Sequence, residues 1–216
     1  LASIHMKEHQ LIIEEGIVAG NAYNKYGTKN PLARAMMNGF KKSLLELVRA
    51  TGAREVHEIG CGEGHLSVFL SQAGLQIRGS DFSTQVIAQA RKNIHSAKLN
   101  VPLEIASIYD LRPPAAAAEL IICCEVLEHL SEPERALDVL ASLARPHLIV
   151  SVPHEPVWRV LNMARGKYWP HWGNTPGHLN HWSRDAFLKF LSQRLEIVEC
   201  RSPFPWTMVH CRARQT

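Results

Sequence analysis

Two sets of residues in this chain carry ligand-binding or proton-transferring groups at meaningful spacing. The first is Glu58-Ile59-Gly60-Cys61-Gly62-Glu63-Gly64, with Asp81 following about 20 residues on. A glycine-rich turn lets backbone N–H groups approach a ligand closely, because a Cβ at Gly60, Gly62 or Gly64 would intrude. The glycines alone favour a ligand turn, with a plain tight connection as the alternative. Their spacing says more: a dinucleotide fingerprint needs a glycine at position 65, where His65 stands. Glu58 places a carboxylate where a cationic amino group is welcome and a pyrophosphate is repelled. Asp81 can accept hydrogen bonds from both hydroxyls of a ribose. The second set is Glu125, Glu128 and His129. On a helical turn they fall at i, i+3 and i+4 and share one face. Such a set is half of a site for Mg²⁺ or Mn²⁺, which prefer these donors to the thiolates of a structural zinc. The same residues also suit a turn in which the carboxylates cap and His129 packs inward. His129, His154 and His178 are the candidate proton acceptors.

Positioning these groups requires strands that end at them. Glu55 to Ile59 reads as a strand, Gly64 to Ala73 as a helix stopped by Gly74, and Leu75 to Ser80 as a second strand. Ser83 caps a helix to about Ala97, and Pro102 to Ala106 and Leu120 to Cys124 supply two more strands, the latter apolar enough to be central. A helix from Glu132 to Ala144 is broken by Pro146 before a fifth strand, His147 to Val152. Ser183 to Leu191 is a capped helix, and Leu195 to Cys200 and Trp206 to Cys211 are the last strands. Ahead of them all, Pro31 opens an amphipathic helix that Gly52 stops. Alternation of this kind predicts an α/β doubly wound sheet of seven strands, mostly parallel with the last antiparallel, and an insertion after strand five.

One domain accounts for the whole length: an N-terminal helical cap over residues 1–53, a core over 54–152, an insertion over 153–182 and a C-terminal helix and strands over 183–216. At 216 residues the chain can bury roughly 70% of its unfolded surface. Five cysteines, two of them adjacent in an apolar run, suit buried thiols in a reducing cytoplasm better than a disulfide framework. The first residues lack the pattern of a secretory signal, no apolar run reaches the about 18 residues of a membrane span, and Leu1 to His5, preceding Met6, read as an appended remnant. A net charge of +4 is too mild to define a partner.

With these motifs in order, residues 55–201 resemble the class I S-adenosylmethionine-dependent methyltransferases of Rossmann-like fold. The resemblance is carried by the turn at 58–64, Gly79-Ser80-Asp81-Phe82-Ser83, Ile105 to Leu111 and Ile121 to Leu130. It implies that Gly60, Gly62 and Gly64, with Glu58 and Cys61, embrace the methionine part of the cofactor, and that Asp81 takes the ribose. Phe82 and Ile108 would flank the adenine, although both also suit plain core packing. Ser107 stands where the family commonly has an aspartate for the adenine amino group. Cys124 would offer a backbone carbonyl, with Glu125 beside it. Glu125-Val126-Leu127-Glu128-His129 is similar to the O-methyltransferases of ubiquinone biosynthesis, the nearest group, and to the small-RNA 2′-O-methyltransferases. Both are associated with divalent metal there. In the RNA enzymes another metal-ligating histidine precedes an aromatic-Ser/Thr-Arg segment, and Gly177 to Arg184 is similar in layout, aligning His178 with the ligand and leaving its neighbour His181 open.

The reaction implied is displacement at a sulfonium methyl, for which the leaving group needs no proton and the acceptor needs alignment. Trp158, Arg159, Arg165, Lys167, Tyr168, Trp169, His171 and Trp172 could stack on that acceptor or close on themselves as a lid. Asn21 to Asn30, with Tyr23, Lys25 and Tyr26, could close over the cofactor or remain a solvated loop. No separate nucleic-acid domain and no strong basic stripe accompany the core, which favours a small or lipid-like acceptor over RNA. A binding protein that has lost its chemistry is a third reading, disfavoured by the complete turn and acidic-histidine set. Sequence does not speak to oligomeric state.

Overall fold

The computed structural model describes residues 12–14, 17–19, 28, 30–166 and 168–214. Strands β1 (Ile12–Glu14) and β2 (Ile17–Ala19) pair antiparallel where only a helical cap was expected. Most of the segment from Asn21 to Asn30, including Tyr23, Lys25 and Tyr26, lies outside the described residues, as does Lys167. Helix α1 (Pro31–Thr51) begins where the Asn30 side chain accepts the N–H groups of Leu32 and Ala33, and stops at Gly52, whose φ of 71° is left-handed. It buries Met37, Phe40, Leu44, Leu47 and Val48 along one stripe.

Next come β3 (Glu55–Ile59), α2 (His65–Gln72), β4 (Gln76–Asp81), α3 (Thr84–Ser96), β5 (Leu103–Ile105), β6 (Ala118–Cys124), α4 (Pro133–Leu143) and β7 (Ala144–Pro153). After them lie α5 (Val157–Ala164), α6 (Arg184–Leu191), β8 (Leu195–Arg201) and β9 (Trp206–Ala213). The sheet runs β5-β4-β3-β6-β7-β9-β8, and β9 alone is antiparallel to its neighbours β7 and β8. This is the seven-stranded arrangement expected. The chain winds outward from β3 through β4 to β5, then returns to place β6 on the other side of β3, so a crevice opens at the carboxyl ends of β3 and β6.

Central strand β6 shows why the sheet is covered on both sides. Leu120, Ile122 and Cys124 pack with α1 and α2, whereas Ile121 and Cys123 pack with α4 and α6, as the two-residue period of a strand dictates. Leu120, Ile121 and Ile122 are fully buried, each stabilising the fold by about 1.5–3 kcal/mol. Pro146, read as a helix breaker, lies inside β7 instead. The β6–β7 register shifts there, Ala118 facing Ala144 and Leu120 facing His147, and in such an irregularity a missing N–H is tolerated. The insertion holds a helix, α5, that apolar periodicity did not reveal. Its buried residue is polar Asn162, which donates to Gly173 O and Thr175 Oγ1, while Val160 is exposed.

Candidate active site

The glycine turn leaves β3 and enters α2 through three left-handed residues, Gly60, Gly62 and Gly64, at φ of 75°, 54° and 75°. Ser80 O receives the N–H groups of both Gly60 (2.8 Å) and Cys61 (3.0 Å), and Gly64 N–H closes the turn on Cys61 O. A Cβ at Gly60 would collide with Val126, and one at Gly64 would stand 3.2 Å from Ala90 Cβ. At Gly62 no protein atom beyond its chain neighbours lies within 4 Å of a Cβ, so the protein leaves that side of the turn open.

Asp81, at the end of β4, binds the turn to the next helix. Its Oδ2 accepts from Gly62 N–H and its Oδ1 from Ser83 N–H, both at 3.0 Å. Glu58 lies beneath the turn, 3% exposed, accepting from the Ser67 hydroxyl. Burial pushes its carboxyl up to about 8; the Ser67 hydrogen bond pulls it back and the nearby charge of Asp81 pushes it further up. Cys61 is buried, and desolvation followed by the charges of Glu58 and Asp81 keeps it a thiol.

Beyond Asp81 a cavity of about 520 Å³ is walled by Phe82, Ile105, Ala106, Ser107, Glu104 and Arg112, among others. Phe82 and Ser107, both read as adenine-side residues, line this cavity. Ile108 does not line it; 7% exposed, it packs in the core with Leu111 and Ala116. Its apolar side chain serves core packing, the alternative reading, and Ile105 and Ala106 supply the apolar wall.

The second set divides. Glu125, left-handed at φ 59°, has its carboxylate held by two donors: Oε1 accepts from Ser151 Oγ (3.1 Å) and Oε2 from Trp206 Nε1 (2.6 Å). The turn after β6 is a 3₁₀ turn, Leu127–His129, and not the α-turn on which i, i+3 and i+4 would share a face. Glu125 is therefore outside the cluster that does form, Glu128, His129 and His178, whose ligand atoms lie within 4.8 Å of one another. His178 comes from the insertion, edge-on to His129 at 4.9 Å between ring centroids and stacked on Trp158. The returning chain is zipped to the turn: Glu128 O accepts the N–H groups of Leu179 and Asn180, and Asn180 Nδ2 donates to the carbonyls of Leu127 and Leu130. His129 Nδ1 is 2.9 Å from Gly177 O, so it carries the proton and presents Nε2 as an electron-pair donor. The backbone N–H of His154 donates to Pro205 O. His181 faces Glu155, Nδ1 to Oε1 at 3.7 Å.

Sequence reasoning missed Ser67, Ser151, Trp206 and Asn180, which hold Glu58, Glu125 and the turn. Trp206 is 81 residues from Glu125, and no local pattern connects them.

An open doubly wound sheet with β9 reversed, a glycine turn tied to the acid ending the next strand, and a cavity beyond that acid define a nucleoside-cofactor fold of the methyltransferase type. Residues 56–147 match the methyltransferase domain family. A ubiquinone biosynthesis O-methyltransferase of Coxiella burnetii is 29% identical over 129 residues, 60% of this chain and 54% of that protein. One of Cupriavidus pinatubonensis is 30% identical over 120 residues, 53% and 47%. The chain spans about half the length of these relatives. The crystal structure of magnesium protoporphyrin IX methyltransferase from Synechocystis PCC 6803 with bound SAH shares the fold at TM-score 0.67 and 22% identity, covering 87% of this chain and 90% of that one. The methyltransferase domain of bacterial CtHen1-CN does so at 0.63 and 21%, covering 82% and 99%. The chain thus shares the fold of these solved methyltransferases, and residues 56–147 are similar to the methyltransferase domain family.

Proposed function

We propose that this chain transfers the methyl group of S-adenosylmethionine to an oxygen, or a nitrogen, of a small-molecule acceptor. The observation that carries the reading is the Asp81 carboxylate, which fixes the Gly62 N–H and stands between an open-sided turn and the cavity. In this arrangement the turn takes the methionine part, Asp81 the ribose, and the cavity beside Phe82 the adenine. In this reading Cys124, at the end of β6, offers its backbone carbonyl near the amino group. The ubiquinone O-methyltransferases among the relatives favour oxygen. The acceptor lone pair forms the new bond to the methyl carbon as the carbon–sulfur bond breaks, and the sulfonium leaves as a neutral thioether. An acceptor hydroxyl must shed its proton, and His129 Nε2, His178 and His154 are the groups of this region able to take it.

Calorimetry with S-adenosylmethionine and its demethylated product tests the reading. Saturable binding of both is expected, and its absence would refute the proposal.

The cluster of Glu128, His129 and His178 favours a second reading, RNA 2′-O-methylation with a divalent metal. One carboxylate and two imidazoles, one of them with its Nδ1–H pinned by a carbonyl, are a donor set that fits Mg²⁺ or Mn²⁺. Those three residues would hold the ion, which would supply positive charge to ease loss of a hydroxyl proton. Mn²⁺ titration followed by electron paramagnetic resonance decides: binding lost in Glu128→Gln and His178→Ala supports the ion, and identical spectra of wild type and variants refute it.

A further inference from the structure

We propose that His181, held by Glu155, takes the proton of an acceptor hydroxyl as the methyl group is transferred, adding a fourth imidazole to the three already named. This rests on the methyl-transfer reading above. Glu155 stands two residues beyond β7, the strand beside β6, and is only 7% exposed. Its Oε2 accepts the N–H of Arg159 at 3.3 Å and so satisfies one of the N–H groups that open α5. That task needs one oxygen. Oε1 is buried with no hydrogen-bond partner among the described residues, a state that stability alone disfavours. The group facing it is His181 Nδ1, 3.7 Å away. Hydrogen bonds span about 2.7–3.2 Å, but catalytic ones are often long at rest and tighten in the complex.

The backbone holds His181 from both sides. Asn180 before it donates its N–H to Glu128 O and its Nδ2–H to Leu127 O and Leu130 O, which ties it to the turn after β6. Trp182 after it accepts the Glu155 N–H at 3.0 Å and packs on Phe187 and Phe190. His181 is thus suspended between the turn after β6 and the residues after β7. The glycine turn and Asp81 occupy the β3–β4 side of the crevice, which leaves the β6–β7 side to the acceptor. Its side chain is 32% exposed, enough to meet an acceptor and to pass a proton on to water.

With Nδ1–H directed at the carboxylate, Nε2 keeps the lone pair. Desolvation and the charge of Arg159 both lower the His181 pKa, so the ring is neutral at pH 7 and able to accept. As the acceptor oxygen bonds to the methyl carbon, the carbon–sulfur pair leaves with sulfur. The O–H pair stays on oxygen, and the proton passes to Nε2. The positive charge lost by the sulfonium reappears on His181, where Glu155 Oε1 receives it. An interaction weak at rest and strong once charge develops is the kind that lowers a barrier. Glu155 is therefore a positioning residue acting through His181.

Two cofactor analogues test this without a known acceptor: the demethylated cofactor, and the analogue in which a carbon bearing an ammonium replaces the sulfonium and its methyl. The ammonium stands where methyl and acceptor meet. Calorimetry should show that His181→Ala and Glu155→Gln keep wild-type affinity for the demethylated cofactor, which reports an intact fold. Both should lose about tenfold for the ammonium analogue, the size of one charge-assisted hydrogen bond. Long-range ¹H–¹⁵N spectra, with His181 assigned by its loss in His181→Ala, should place the wild-type proton on Nδ1. The Nε2 resonance should move with the ammonium analogue and not with the demethylated cofactor. Where a variant fails to fold, these wild-type spectra decide. An Nε2-protonated His181, an Nε2 resonance indifferent to the ammonium, or an unchanged ratio of the two affinities in the variants would each overturn the proposal. Wild type that binds neither analogue would instead refute the methyl-transfer reading itself.

Discussion

Asp81 has two tasks that one carboxylate can combine: it receives Gly62 and Ser83 N–H groups, and in the proposed function it receives the ribose. Asp81→Ala should weaken binding of the demethylated cofactor by roughly 1–3 kcal/mol. Loss of the turn alone could do the same, so the decisive comparison uses an analogue lacking both ribose hydroxyls. Removing the hydroxyls should matter in wild type and not in Asp81→Ala; equal losses in both proteins would refute the ribose contact. At this scale, local spacing made legible the places of the glycines, Glu58 and Asp81 at the turn and at the strand ends. Glu125 was not, because its rotation toward Ser151 and Trp206 depends on β7 and β9 meeting behind it. Ile108 was not, because an apolar residue after a strand suits a cavity wall and a core equally well.

The turn between β3 and α2 acts as an element whose three glycines meet different demands. A Cβ at Gly60 would strike Val126, so Gly60→Ala combines a left-handed φ with overpacking and should cost about 2–4 kcal/mol in urea unfolding. Gly62→Ala carries the φ penalty alone, about 1–2 kcal/mol, yet should abolish measurable cofactor binding because its Cβ enters the open side. The pair of measurements separates space reserved for protein from space reserved for ligand; a Gly62→Ala protein of full affinity would show that the open side is not the ligand's. Strands and long helices were legible because burial on one or two faces writes a period of two or 3.6 into them. The short helix α5 escaped because polar Asn162 is its inward residue, and the β1–β2 ladder because each of its strands is only three residues long.

Across the whole molecule, two buried titrating sites oppose each other. His147 Nδ1 and His210 Nε2 lie 3.0 Å apart between β7 and β9, and one of the two must give up a proton for the contact to be a hydrogen bond. Desolvation, then His147, then Arg212 lower His210 to about 4; desolvation and Arg212 lower His147. An imidazole whose folded pKa is depressed leaves the unfolded chain binding more protons, so stability falls as pH drops from about 6.5 toward 4. Glu58 works in the other direction. Its carboxyl is raised to about 8, so the folded state holds a proton that the unfolded chain has released, and stability falls as pH rises from about 4.5 to 8. A tenfold difference in proton affinity between the folded and unfolded chain is worth about 1.4 kcal/mol, which makes both limbs measurable by urea unfolding. Glu58→Gln should flatten the neutral-to-alkaline limb, and His210→Phe the acid limb. The cofactor discriminates between a merely buried acid and a functional one. If the cationic amino group of S-adenosylmethionine reaches Glu58, it favours the carboxylate, so saturating ligand should both flatten the alkaline limb and release a proton on binding. Calorimetry in two buffers of different ionisation enthalpy measures that proton near pH 7. Binding without proton release in wild type, or the same release in Glu58→Gln, would assign Glu58 to holding Ser67 alone.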